Sequence, residues 1–190
     1  EISACLVGSE MCIRDRQWID ESDIEVVTKV LKSDYLTCGP MIEKLERTLE
    51  EYTGAKYAVA VSNGTAALHC ACIAAGIGPG DEVITTPMTF AASANCILYC
   101  GAKPVFADIK KDTYNIDPDS IRSHITPRTK AIIAVDFAGQ VVEVEEIRAI
   151  CDEYNLIFIE DAAHSIATKY KEKQLSLIHI SEPTRQAEIS

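Results

Sequence analysis

Apolar residues at Ile24, Val27, Val30 and Leu31 recur among acids and lysines, which predicts an amphipathic helix over residues 20–32 with acids in its first turn. The stretch "SDYLTCGP" breaks that period. Pro40 then opens a second predicted helix, with Ile42, Leu45 and Leu49 on one face and Gly54 at its end. From residue 57 onward the pattern changes. Short apolar runs at residues 57–61, 82–86, 104–108, 131–135 and 156–159 alternate with helical stretches at 65–75, 89–99, 117–124 and 144–154. Runs that are apolar at consecutive positions fit strands buried on both faces. The predicted fold class is therefore α/β, a mostly parallel sheet with helices on both faces. No repeat, low-complexity tract or linker interrupts it. In such sheets ligands bind beyond the carboxyl ends of the strands, so the strand ends are where chemistry is to be sought.

The ends of the chain depart from this rhythm. "EISACLVGSEMCIRDR" (residues 1–16) has neither period nor turn logic, and "LSLIHISEPTRQAEIS" (residues 175–190) follows "TKYKEKQ" abruptly. Met11 to Arg16 and Leu175 to Ile180 can be encoded on opposite strands of one DNA sequence, and the match continues outward through "EISACLVGSE" and "SEPTRQAEIS". Both ends resemble a translated sequencing adapter and are set aside from fold reasoning, as a tag would be. Residues 17–174 remain as the segment to be explained.

Composition narrows the function classes. Of the 190 residues, 47% are hydrophobic and 25% charged, enough apolar material for a domain with a core. A formal net charge of −11 argues against a general binder of nucleic acid or anionic membrane. No apolar run approaches a membrane span, and the start lacks the layout of a secretion signal, so the expected location is cytoplasmic. Outside the two ends the cysteines are Cys38, Cys70, Cys72, Cys96, Cys100 and Cys151, most of them in apolar stretches and without a CxxC pair. They read as buried, reduced thiols, and no zinc-like spacing is present, so no metal is expected.

The predicted strand ends carry three kinds of group. After residues 57–61 comes "SNGTAAL". A Gly and a Thr opening an Ala-rich helix offer free N–H groups and a hydroxyl to a phosphate, or simply an ordinary cap with Ser62 or Asn63 as capping residue. After 82–86 comes "PMTFAASAN", where Phe90 either stacks on a flat ring or plugs the core. After 131–135 comes "DFAGQ", whose Asp136 and Gln140 face a ligand or solvent. After 156–159 comes "EDAAHS", where Asp161 could sit opposite a cationic ring nitrogen and His164 near a phenolic oxygen. A phosphate cup, an aromatic plate and a carboxylate are the three things pyridoxal 5'-phosphate (PLP) requires, since an anion at the pyridine nitrogen keeps the ring protonated and electron-accepting. The glycines at 76, 78 and 80 follow a helix and precede a strand, the wrong order for a dinucleotide fingerprint.

Through "LTCGP", "SNGTAAL", "GPGDEVITTPMTFAASAN", "GAKPVFADI" and "EDAAHS", residues 17–174 resemble the DegT/DnrJ/EryC1/StrS sugar aminotransferases among the fold-type I PLP enzymes. "VITTPMTFAASAN" and "VDFAG" look closest to UDP-4-amino-4,6-dideoxy-N-acetyl-β-L-altrosamine transaminases of pseudaminic acid synthesis. The resemblance implies that residues 17–174 are the N-terminal part of the PLP-binding large domain. It implies that Gly64, Thr65 and Ala66 hold the phosphate, Phe90 stacks on the ring, Asp161 pairs with its nitrogen, and His164 lies by its oxygen, where many relatives have Gln. It further implies a nucleotide-sugar substrate with a 4-keto group, an amino-acid donor such as glutamate, and a homodimer that binds neither nucleic acid nor membrane. A sugar dehydratase, in which histidine replaces the Schiff-base lysine, and a non-catalytic homologue are the other readings.

That lysine is expected beyond Gln174, after a turn containing Ser and Phe. Lys169, Lys171 and Lys173 lie too close to Asp161 and alternate along "TKYKEKQ" like an exposed strand. The chain as written is therefore expected to be inactive. Resequencing the gene from genomic DNA past the Gln174 codon should replace "LSLIHISEPTR" with such a turn and a lysine. Finding "LSLIHISEPTR" encoded there would overturn the adapter reading, and a histidine would favour the dehydratase.

Overall fold

The computed structural model describes residues 19–166, 168–170, 173–174 and 178–181. The chain divides into two compact units, Glu1–Leu45 and Glu46–Ser190. The first holds α1 (Glu21–Leu31) and the start of α2 (Pro40–Thr53). A reciprocal capping box opens α1: Asp20 accepts the Ser22 and Asp23 N–H groups at 2.8 and 3.2 Å, and Asp23 accepts the Asp20 N–H at 3.0 Å. The Ser22 hydroxyl, with these two amides, holds the Asp20 carboxyl below its ordinary range. Ile24, Val27 and Leu31 form the expected stripe, and all three are exposed.

The second unit is built on one sheet in the order β2-β1-β3-β4-β7, comprising β1 (Glu82–Thr85), β2 (Lys103–Phe106), β3 (Thr129–Val135), β4 (Ile157–Asp161) and β7 (Ile178–Ser181). The first four strands are mutually parallel. Strand β7 lies in the stretch set aside as foreign and pairs antiparallel with β4, Phe158 opposite Ser181 and Asp161 opposite Ile178. The other expected foreign stretch, residues 1–16, lies outside the described residues.

Strand side chains alternate between faces, and each face has its own core. Val83, Ala131, Ile133 and Ile159 pack under α3 (Gly64–Ala74) and α4 (Ala92–Tyr99), with Leu68, Cys72, Cys96 and Ile97. Ile84, Ile132, Ala134 and Phe158 pack on the other face under α5 (Pro118–His124) and α6 (Val144–Tyr154), with Ile121, Ile147 and Ile150. This double cover is why β1, β3 and β4 are apolar at consecutive positions. Asn155 takes a left-handed conformation, φ 54°, at the end of α6 and turns the chain directly into β4.

Two predicted strands are corrected. Residues 57–61 form no ladder. Tyr57 and Val59 are 73% and 79% exposed, and the Ala58 and Ala60 N–H groups bond instead to the Glu50 and Glu46 carboxylates of α2, at 3.1 and 2.9 Å. No strand among the described residues lies beside the segment, and without a partner β propensity does not suffice. "TKYKEKQ" is not one strand but a short antiparallel pair, β5 (Lys169–Tyr170) with β6 (Lys173–Gln174). The thiol prediction also fails in part. Cys72, Cys96 and Cys151 are buried, while Cys38 and Cys70 are exposed and Cys100, at the edge of the core under α3 and α4, is half-buried.

At the amino end of the sheet, Glu82 is a buried carboxylate that accepts from the Thr126 hydroxyl (2.7 Å), Arg128 (2.7 Å) and Lys103 (3.3 Å). These partners, Thr126 foremost, hold its pKa down to about 2 from the ordinary 4.5. A depressed folded-state pKa contributes stability that is present above 4.5 and is lost as the pH falls toward 2. Glu82→Gln should lower the urea midpoint at neutral pH and flatten its acid dependence across that window. An unchanged acid slope would show that the cluster does not couple folding to protonation.

Candidate functional site

Parallel pairing of β3 with β4 sets Val135 beside Asp161, so the turns that follow the two strands emerge side by side. They are stitched together at several points. The Asp136 N–H donates to the Asp161 carbonyl at 3.1 Å. The Asp136 carboxylate, fully buried, accepts the Ser165 hydroxyl at 2.6 Å and the Val142 N–H at 3.0 Å. Burial pushes its carboxyl pKa up, against the pull of those two donors, and the nearby Asp161 charge adds to the rise. Asp136 thus faces neither ligand nor solvent, whereas Gln140 is exposed. Gly139, at φ +86°, permits the close approach of the second turn, since a Cβ there would stand 3.1 Å from the His164 carbonyl oxygen. The Asn115 side chain fixes the first turn from below, donating to the Gln140 and Val141 carbonyls, both at 3.0 Å, and accepting the Phe137 N–H at 3.1 Å.

The two acids that end β4 have opposite fates, because neighbouring residues in a strand point to opposite faces. Glu160 shares its face with Phe158, is 2% exposed, and its Oε1 finds no partner among the described residues. Burial first, and then repulsion from Asp136, raise its carboxyl to about 7. Asp161 faces α4. It is 7% exposed, accepting the Ser93 hydroxyl on Oδ2 at 3.1 Å and the Ala163 N–H on Oδ1 at 3.3 Å. Ser93 gives its one proton to Asp161, so the Thr89 hydroxyl, 2.9 Å away, donates to Ser93. A chain of hydroxyls from the β1 exit thereby orients the carboxylate.

Phe90 lies in that same exit. Its carbonyl accepts the Ser93 N–H at 3.2 Å, and its ring is 75% exposed, so it is a surface plate and not a core plug. α4 starts at Ala92, three residues later than the apolar pattern suggested, which leaves Thr89 and Phe90 on the loop. His164 is exposed beside Gly139.

The remaining predicted residues open α3. Asn63 is the capping residue, with its side chain accepting the Ala66 N–H at 2.9 Å. Ala66 has thus committed its donor, while the Gly64 and Thr65 N–H groups have no partner among the described residues. Space is open where a Gly64 Cβ would lie. No hydrogen bond joins this turn to Asp161. The link runs through the packing of α3 on α4, where Cys72 meets Cys96. Asp161, Phe90, His164 and the α3 opening were named from the sequence, whereas the groups Ser93, Thr89 and Ser165 that hold the two carboxylates were not. For Thr89 and Ser93 the one signal was the four-residue spacing of the hydroxyls in "TFAAS".

The donor set is suited to a flat cationic ring bearing an anionic arm. It offers a nearly buried, oriented carboxylate, an exposed aromatic face, and unpaired N–H groups at the positive end of a helix. No group of His, Cys, Asp and Glu able to hold a metal occurs among the described residues, and no helix there is long and apolar enough to cross a membrane.

The chain is similar to known aminotransferases. The family model described as the DegT/DnrJ/EryC1/StrS aminotransferase family matches residues 17–179. The spore coat polysaccharide biosynthesis protein SpsC of Bacillus subtilis is 46% identical over 160 residues, which are 84% of this chain and 41% of SpsC. Spr1654 of Streptococcus pneumoniae, solved in its PLP form, superposes with a TM-score of 0.80 at 33% identity, over 83% of this chain and 44% of that one. Helicobacter pylori PseC, an aminotransferase of pseudaminic acid biosynthesis, superposes with a TM-score of 0.78 at 37% identity, over 83% and 43%. The chain therefore spans about two fifths of the length of these relatives.

Replacing Ser93 by Ala leaves the buried Asp161 Oδ2 without its donor and should cost about 1–3 kcal/mol of stability by urea denaturation. Thr89→Ala keeps the Ser93 bond and should cost less. Equal losses in the two variants would contradict the assigned direction of the hydroxyl chain.

Proposed function

The chain belongs to the DegT/DnrJ/EryC1/StrS aminotransferase family, and on that footing we propose that it is the cofactor-binding part of a PLP-dependent sugar aminotransferase. The whole enzyme moves an amino group from an amino acid, glutamate foremost, to C4 of a nucleotide-linked 4-keto-6-deoxy sugar. It works as a cytoplasmic homodimer in the synthesis of pseudaminic acid or a related surface glycan. Similarity to PseC and to SpsC, both tied by their names to glycan synthesis, supports this substrate class.

The observation that carries the reading is Asp161. Bound PLP would supply an electron-accepting pyridinium ring, and the protein's task is to keep that ring protonated and in place. Asp161 does the first, since a carboxylate at the ring nitrogen holds the proton there. Ser93 and the Ala163 N–H hold the carboxylate at one angle, and its burial strengthens its pull on a cation. Gly64 and Thr65 offer two N–H groups and a hydroxyl to the phosphate. Ala66 can join only by giving up its bond to Asn63. Phe90 would give the ring a face to rest on, and His164 would donate to the phenolic oxygen. The residue that anchors the cofactor covalently and moves the substrate proton is assigned to sequence beyond Gln174.

In the uninterrupted protein, Asp161→Ala should weaken PLP retention by roughly 10- to 100-fold, the range of a lost charge-assisted bond. Visible absorbance after gel filtration reads this directly. Undiminished retention in Asp161→Ala would remove the pyridinium assignment.

A further inference from the structure

Behind Asp161, where α3 packs on α4, lies a group of thiols that the cofactor reading leaves unused. Cys72 and Cys96 are both fully buried, and their sulfurs are 3.6 Å apart. Cys100, one turn further along α4, is half-buried and interacts with both. A disulfide requires sulfurs about 2.05 Å apart, so the two buried thiols need close by only about 1.5 Å. We propose that Cys72 and Cys96 are an oxidisable pair, a modification site at which a peroxide closes a reversible disulfide between α3 and α4.

The pair is chemically unequal. The Cys72 S–H donates to the Cys96 sulfur, which pushes the Cys72 thiol up and draws the Cys96 thiol down. Cys96 is thus the sulfur that ionises more readily; as a thiol it donates to the Ser93 carbonyl at 3.3 Å. The Cys96 thiolate attacks one peroxide oxygen, forming a sulfenic acid and releasing hydroxide, which takes up the proton Cys96 had lost. The Cys72 sulfur then displaces the sulfenic hydroxyl, which leaves as water with the Cys72 proton. In total two thiols give up two protons and two electrons, and hydrogen peroxide becomes two waters. Cys100 is the partly exposed member of the cluster, so the proposal requires peroxide to enter past it.

The position gives the bond a consequence. The first turn of α3 carries Gly64 and Thr65, and Ser93 stands one turn before Cys96. A disulfide here would tie the two supports of the site together and remove the S–H that meets the Ser93 carbonyl. The assignment of the pair itself holds whether or not the site takes PLP.

The test uses the full chain with Cys70→Ser and Cys100→Ser, which leaves Cys72 and Cys96 as the only thiols on their two peptides after cleavage at Glu82. The reduced protein is treated with a few equivalents of hydrogen peroxide, the remaining thiols are alkylated under denaturing conditions, and the peptides are read by mass spectrometry. The expected result is a dithiothreitol-reversible link between those two peptides, absent when Cys96→Ser is added. Oxidation confined to Cys38 or Cys151, with Cys72 and Cys96 fully alkylated, would overturn the proposal.

Discussion

Two-sided burial of the parallel sheet is the constraint on which the rest depends. Parallel strands must be joined by crossovers, and the crossover helices cover both faces. Here α3 and α4 lie on one face and α5 and α6 on the other, so β1 and all but the first residues of β3 and β4 are closed to water on both sides. Polar side chains are then tolerable only near the strand ends. Glu82 sits at one rim inside its cage of Thr126, Arg128 and Lys103, and Asp136, Glu160 and Asp161 gather at the other. The candidate site lies at this second rim because the layers between have no room for charge.

At that rim, alternation along β4 separates two carboxylates that are adjacent in the chain. Asp161 gains an oriented serine and a backbone donor, whereas Glu160 is buried with an unmatched oxygen. Much of the surrounding structure serves to hold backbone and not to touch a ligand. Asn115 braces the turn after β3, and Asp136 ties it to Ser165. The groups with the fewest protein partners are Phe90, His164, Gly64 and Thr65, the ones a bound molecule would meet.

The sequence was most readable where burial alone decides the pattern. The helices near residues 117–124 and 144–154 and the strands β1, β3 and β4 fell where apolar periodicity placed them. It was least readable where the outcome rests on a distant partner. Residues 57–61 have strand composition but no neighbour to pair with, so they stay outside the sheet. Asp136 looked like a solvent or ligand group, but its place is set by Ser165, 29 positions away in sequence. Ser93 drew no reading in the sequence, and only the packing of α4 on β4 reveals its bond to Asp161. Cysteine burial was misjudged in the same way: the run around Cys70 and Cys72 is apolar, but a helix turns one of them inward and the other out.

The contacts of α2 with residues 57–61 have a geometrical consequence. Glu46 and Glu50 are one helical turn apart, about 6 Å along the axis, and two residues of fully extended chain, the separation of Ala58 and Ala60, span about 6.6 Å. The two repeats nearly coincide, so a helix carrying acids at every fourth position can satisfy alternate amides as an adjoining strand would. The helix acts as a surrogate neighbour on one side of the segment. With both amides bonded to those carboxylates, neither N–H is left to pair with another chain.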